Sequence, residues 1–285
     1  MSQKPNITGK VILAGAGPGD PELLTLKAAR FLESADVILV DRLVSPEILL
    51  VHANPKAEII YVGKQCGKGN STKQLSINEM LVELASQHKL IVRLKGGDVS
   101  FFSNILDELE TLIANGISYE IIPGVTAASG AAAYAGIPLT ARDHSTAVRF
   151  LTYYKSEVLS EDYWRDLATT NDTIVFYMSG EATPAILSKL REHNIDPCKK
   201  IAMIAQATTP MQQVFISDIY DADLNLSQKF ISPSLIIIGK VVNLNAKFAW
   251  VANSEQPEHY FNPIAKLGSV LTENTEKAKE YAGRA

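Results

Sequence analysis

The sequence predicts an α/β protein of two domains, a parallel-sheet domain first and a mixed-sheet domain second. Three observations predict it. Apolar runs at 11–14, 37–40, 58–62, 90–94 and 119–122 alternate with stretches of helical period, the pattern of a mostly parallel sheet covered on both faces. The first run ends in a glycine-rich turn, Gly15, Gly17 and Gly19, at the strand edge where open α/β sheets take ligands. Beyond Pro123-Gly124, extended runs at 147–152, 173–177, 201–204, 213–216 and 235–239 outnumber clean strand-helix-strand repeats, so the second sheet is expected to be mixed. The expected domains are 8–122 and 123–250, followed by a polar tail at 251–285.

The elements follow in order. Asp20 is placed to cap a helix that Pro21 opens, with Leu24, Ala28 and Leu32 on its buried face. The second run ends in Asp41, and a helix over 46–52 is separated from the third run by the turn at Asn54-Pro55. GKQCGKGNSTK at 63–73 has no apolar periodicity and reads as an exposed loop. Helices are expected over 76–88, with Ile77, Leu81 and Leu84 inward, and over 101–115, with Leu106, Leu109 and Ile113 inward. The alanine-rich stretch 126–135 suits close packing against a neighbour or a cofactor, and further helices are expected at 161–168 and 183–193.

Composition narrows the function. In 285 residues, 46% hydrophobic content supports sizeable cores, and a formal charge of −4 argues against a general nucleic-acid binder. Cys66 and Cys198 have no metal-ligand spacing, so no metal site is expected. The segment MSQKPNITGK lacks the apolar core of a signal peptide, and no apolar run reaches the length of a membrane span. The expectation is a cytoplasmic protein without a membrane or nucleic-acid partner.

Four stretches carry the chemistry. GAGPGDPELLTLKA at 15–28 with ADVILVDRLVS at 35–45, Lys95-Gly96-Gly97-Asp98 after the strand IVRLK, IPGVTAASGAAAYAGIPLT at 122–140, and SPSLIIIGKVV at 232–242 stand in this order. Together they resemble the tetrapyrrole (corrin/porphyrin) methyltransferase family, and within it the branch that acts on uroporphyrinogen III. The resemblance spans residues 10 to about 250. It implies the family's two-domain fold with S-adenosyl-L-methionine in the cleft, S-adenosyl-L-homocysteine as the spent donor, and a homodimer. Residues matching the family's donor positions are Pro18, Gly96, Gly97, Asp98, Phe101, Thr126, Ala127, Met178 and Ala207. Asp41 and Lys64 match the proposed proton acceptor and proton donor. Carboxylates of the substrate are expected to meet cations near strand ends: Arg42, Lys68, Lys95, Arg142 and Arg149. Arg93 and Lys95 alternate along one strand and so share a face.

The implied reaction is methylation of uroporphyrinogen III at C2 and C7, on the way to sirohaem and cobalamin. Departures from the family pattern are concentrated on the substrate side. Asn104 stands for an arginine, Ile105 and Leu106 for glycines, Gly69 or Asn70 for a histidine, and Tyr153-Tyr154 for glycine-histidine. Thr208-Thr209-Pro210 with Gln213 resembles the family's GT-x-x-x-Q segment, but Ala207 replaces its glycine, where a left-handed backbone would be strained. These departures keep two alternatives open: a methyltransferase for another tetrapyrrole or corrinoid intermediate, and a cofactor-binding homologue impaired in catalysis.

Overall fold

The computed structural model describes residues 9–62, 74–87, 89–153, 159–222, 231–255 and 258–261. These form two compact units, 9–126 with Phe261, and 127–260. The division falls after Thr126 because the Pro123-Gly124 turn is held by the first unit: the Gly124 amide donates to Asp98 Oδ2 at 2.8 Å. Among the described residues no helix is long and apolar enough to cross a membrane.

In the first unit the strands are β1 (Lys10–Gly15), β2 (Val37–Val40), β3 (Glu58–Tyr61), β4 (Leu90–Lys95) and β5 (Ser118–Ile122). They pair in the order β3-β2-β4-β1-β5, parallel throughout. The near-continuous apolar runs have a simple cause. Val11, Leu13, Val37, Leu39 and Ile91 meet one core, while Ile12, Ala14, Ile38, Val40, Val92 and Leu94 meet the other, so both faces are covered. The helices α1 (Leu26–Ser34) and α2 (Pro46–His52) cover the second face, and α3 (Gln74–Ser86) and α4 (Ile105–Ala114) the first.

Two helices differ from expectation. Asp20 caps only a short 3-10 turn over Pro21–Leu23, and α1 starts later, where the Thr25 hydroxyl accepts the Ala28 amide. The helix expected from residue 101 begins at Ile105, because Phe102 and Asn104 adopt left-handed backbones (φ 51° and 57°) that break a right-handed helix. Its phase also differs. Ile105, Glu108, Leu109 and Leu112 turn inward, whereas Leu106 and Ile113 are each 63% exposed.

Tyr61, at the end of β3, packs on the core beneath α1 and α2. Its hydroxyl is buried without a hydrogen-bond partner among the described residues, and burial pushes the phenol up to about 12. Below the unfolded value of 10.0 this group exerts no pH effect. As pH rises from there to about 12, stability falls, because the unfolded chain releases a proton that the folded chain keeps. Tyr61→Phe is expected to flatten this alkaline limb and to leave neutral-pH stability unchanged or raised by about 1 kcal/mol, read by denaturant titration across the alkaline range. A fall at neutral pH would show that the hydroxyl has a partner.

The second unit holds α5 (Ala127–Tyr134), β6 (Val148–Thr152), α6 (Glu161–Thr169), β7 (Thr173–Tyr177), α7 (Thr183–Glu192), β8 (Lys200–Ala205), β9 (Gln213–Asp218), β10 (Ser234–Gly239) and α8 (Asn245–Phe248). The sheet is mixed, in the order β6-β7-β10-β8-β9, with β6 and β7 parallel and β10 antiparallel to β7 and β8. Alternation again divides the residues. Ile174, Phe176, Ile236 and Ile238 meet α6 and α7, while Val175, Tyr177, Leu235 and Ile237 meet α5. The small side chains of α5 are therefore spent on its own sheet, with Ala128, Gly130, Ala131 and Ala132 buried.

Residues expected to open a polar tail are tied to this unit as well. Asn253 exchanges two hydrogen bonds with the Val214 backbone (2.7 and 3.0 Å), and the Ser254 amide donates to the Gln212 carbonyl (3.0 Å).

Candidate functional site

A parallel sheet gathers the carboxyl ends of its strands at one edge, and in the first unit three loops fuse there. Gly17 and Gly97 exchange two backbone hydrogen bonds (3.1 and 2.7 Å), and the Ala16 amide donates to the Lys95 carbonyl at 2.8 Å. Close approach requires the glycines. A Cβ on Gly124 would lie 2.3 Å from the Gly97 carbonyl oxygen, and one on Gly15 would lie 2.7 Å from the Gly124 nitrogen. Gly97 also needs its left-handed backbone, φ 70°. Asp98 locks the node: Oδ1 accepts the Ser100 amide (2.7 Å) and Oδ2 the Gly124 amide. Pro18 sits half-buried in the first of these loops, and Phe101 stands 39% exposed beside the node.

Beside this node lies a chain of four charges. Arg93 Nη2 donates to Asp41 Oδ1 at 2.5 Å, Arg93 Nε to Glu108 Oε1 at 3.0 Å, and Lys95 Nζ to Glu108 Oε2 at 2.8 Å. The two cations balance the two carboxylates. Burial opposes the charged guanidinium of Arg93, but the carboxylates of Asp41 and Glu108 outweigh it and hold the group above its ordinary value. Arg93, Lys95 and Glu108 are almost wholly buried, whereas the Asp41 side chain is 28% exposed. The network therefore reaches solvent through Asp41, which follows β2 directly and whose amide is fixed to the Leu94 carbonyl (3.0 Å).

The second unit has its own edge, formed by the carboxyl ends of β6, β7 and β8. Met178 follows β7 in a left-handed backbone (φ 52°) and is 54% exposed. Its neighbours are fixed. Ser179 Oγ donates to the Tyr177 carbonyl (2.7 Å) and accepts the Tyr153 amide (2.8 Å), and the Tyr177 hydroxyl accepts the Ala128 amide at the start of α5 (3.2 Å). Ala127 and Ala207 both pack at the margin of the core that contains Tyr177. The turn after β8 is built by glutamines. Thr208 N–H donates to Gln212 Oε1 (2.8 Å), while Gln206 donates to the Glu258 carbonyl and accepts the Tyr260 amide (each 2.7 Å).

Several sequence expectations change here. Strain at Ala207 is relieved because the left-handed residues are its neighbours, Gln206 (φ 47°) and Thr208 (φ 66°). The glutamine that builds the turn is buried Gln212, which keeps the family spacing from Ala207, not Gln213 at the start of β9. Lys95, expected to meet a substrate carboxylate, is buried with its ammonium on Glu108. Arg149 lies at the amino end of β6, at the opposite end of the sheet from Met178, where it binds Asp172 (2.6 Å), Asp166 and Thr170 (3.1 Å). Those carboxylates, Asp166 foremost, hold its guanidinium above the ordinary value. Arg42 is half-buried and Arg142 exposed, and neither makes an ion pair among the described residues. Thr126 is half-buried at the end of the first unit. Lys64 and Lys68 lie outside the described residues. Glu108 had a readable signal, a carboxylate within the inward stripe formed by Ile105, Leu109 and Leu112.

Comparison with known proteins decides the family. The profile of the Tetrapyrrole (Corrin/Porphyrin) Methylases matches residues 10–223. The chain belongs to the tetrapyrrole methylase family. The family is described as methylases of corrins and porphyrins, and S-adenosyl-L-methionine is its methyl donor. The siroheme synthase of Azotobacter vinelandii is 44% identical over 247 residues, 86% of this chain but 53% of that protein. This tetrapyrrole methylase thus spans about half the length of the curated relatives it matches. A crystal structure of uroporphyrin-III-C-methyltransferase from Thermus thermophilus is 34% identical, with TM-score 0.71 over 86% of this chain and 98% of that one. The structure of the cobalamin biosynthetic enzyme cobalt precorrin-4 methyltransferase is 25% identical, with TM-score 0.72 over 82% and 95%.

Proposed function

We propose that the chain methylates uroporphyrinogen III at C2 and C7, forming precorrin-1 and then precorrin-2 for sirohaem and cobalamin. The observation that carries this reading is the likeness to the Thermus uroporphyrin-III-C-methyltransferase along nearly the whole of that chain. S-adenosyl-L-methionine supplies an electrophilic methyl: its C–S bond breaks with the pair kept on sulfur, while a pyrrole π pair makes the new C–C bond. The residues at hand suit that donor. At the edge of the second unit Met178 is exposed, and the side chains of Ala127 and Ala207 are small enough to leave room for a purine and a thioether. From the resemblance, Pro18, Gly96, Gly97, Asp98, Phe101 and Thr126 of the first unit are also read as donor residues. S-adenosyl-L-homocysteine is the spent form.

Asp41 is read as the base that takes the proton released when the ring's double bonds rearrange, and Lys64 as a proton donor. Among the described residues, Arg42 and Arg142 remain the cations read as meeting substrate carboxylates, since Lys95 and Arg149 are neutralised, and the resemblance adds Lys68. The reading carries a homodimer in the cytoplasm. Anaerobic incubation with uroporphyrinogen III and the donor is expected to give products heavier by one and by two methyl groups, at C2 and C7 by NMR. A second reading, methylation of another tetrapyrrole or corrinoid, is favoured by Asn104, Ile105 and Leu106 in place of an arginine and two glycines. No product from uroporphyrinogen III, with turnover of another acceptor in a tetrapyrrole panel, would select it.

A further inference from the structure

The buried charge chain does more than balance itself, because it treats the two oxygens of Asp41 differently. Oδ1 is held by Arg93 at 2.5 Å, while Oδ2 accepts no hydrogen bond among the described residues. Arg93 is itself fixed on three further sides: by Glu108 Oε1, and through Nη1 by the carbonyls of Leu39 (3.4 Å) and Leu94 (3.3 Å). Glu108 is fixed in turn by Lys95 at 2.8 Å. With β4 and α4 both supplying the frame, the guanidinium has little freedom, and neither has the carboxylate it grips.

We infer that Arg93, braced by Glu108 and Lys95, is a positioning residue that dedicates Oδ1 of Asp41 to the fold and presents Oδ2 as the oxygen that takes the proton. This rests on the reading of Asp41 as the base. Methylation leaves the pyrrole system cationic. Neutrality returns when a C–H proton departs, the C–H bond pair entering the ring as a double bond and the proton forming a new O–H bond at Oδ2. A carboxylate free to rotate would offer either oxygen at the wrong angle. A lysine cannot replace Arg93, since one ammonium has no fork with which to hold Asp41, Glu108 and two carbonyls together.

The test compares the wild type, Asp41→Ala, Arg93→Lys and Glu108→Asp in the full chain. Methyl transfer, donor affinity by calorimetry and thermal stability are measured for each. Glu108→Asp keeps every charge and leaves Asp41 untouched, but shortens the brace by one methylene. Both positioning variants are expected to lose about 10- to 100-fold in kcat in the folded fraction, with the dissociation constant of S-adenosyl-L-homocysteine changed less than about twofold. A folded variant of either kind with wild-type kcat would overturn the inference. So would kcat and donor affinity falling in parallel, which a purely structural role produces. If Asp41→Ala itself keeps wild-type turnover, the reading of Asp41 as base has failed, and that outcome is distinct from failure of the brace. Should Arg93→Lys not fold, the kcat of Glu108→Asp alone decides for or against the brace.

Discussion

Asp41→Ala is expected to lower kcat for methyl transfer by about 10²- to 10⁴-fold, the range for loss of a positioned general base. The expectation rests on placement. Asp41 directly follows β2 at the carboxyl edge of the parallel sheet, and its side chain is the exposed end of a charge chain whose other members are almost wholly buried. Removing it leaves Arg93 with Glu108 and two carbonyls, so the fold is weakened without losing the whole network. Donor affinity is expected to be little changed, because none of the residues matched to the donor bonds to Asp41. Steady-state kinetics beside donor titration check this. An undiminished kcat would remove Asp41 from the chemistry.

Glu108→Ala is expected to have the largest effect on stability, about 3–5 kcal/mol. Glu108 is 0% exposed and each of its oxygens neutralises a different buried cation. Without it, Lys95 has no carboxylate partner and Arg93 keeps only Asp41, so at least one positive charge is buried unpaired. A domain's whole stability is about 5–15 kcal/mol, so the variant is expected to be marginal. Equilibrium denaturation reads the loss directly, and a cost below about 1 kcal/mol would mean that water or another group compensates the two cations.

The fold was legible wherever burial on both faces writes a continuous apolar run. The strands at 11–14, 37–40 and 173–177 need no partner to be recognised, since every residue but Thr173 meets one core or the other. Legibility fails where a polar partner decides. The phase of α4 is set by Glu108 turning inward to Arg93 and Lys95: Leu106, Leu109 and Ile113 offer a second apolar stripe, and the ion pairs decide for Ile105, Leu109 and Leu112. Lys95 shows the same limit from the other direction. A lysine at a strand end reads as a ligand for substrate carboxylates until the helix that neutralises it is placed. At the turn after β8, the strain expected of Ala207 is moved to Gln206 and Thr208, and their hydrogen bonds to residues 258–260 and to Gln212 hold that shape. The glycines of the node were readable as places of close approach. What they approach, chiefly one another, depends on three loops that are far apart in the chain.

Transfer of a labelled methyl group tests the central claim most directly. The full chain is incubated anaerobically with uroporphyrinogen III and S-adenosyl-L-methionine carrying a trideuterated methyl, and the tetrapyrrole products are weighed by mass spectrometry. The account predicts products carrying one and two intact trideuteromethyl groups, with one S-adenosyl-L-homocysteine formed for each group transferred. Donor consumed without label in the tetrapyrrole, or no donor consumed at any enzyme concentration, would contradict it.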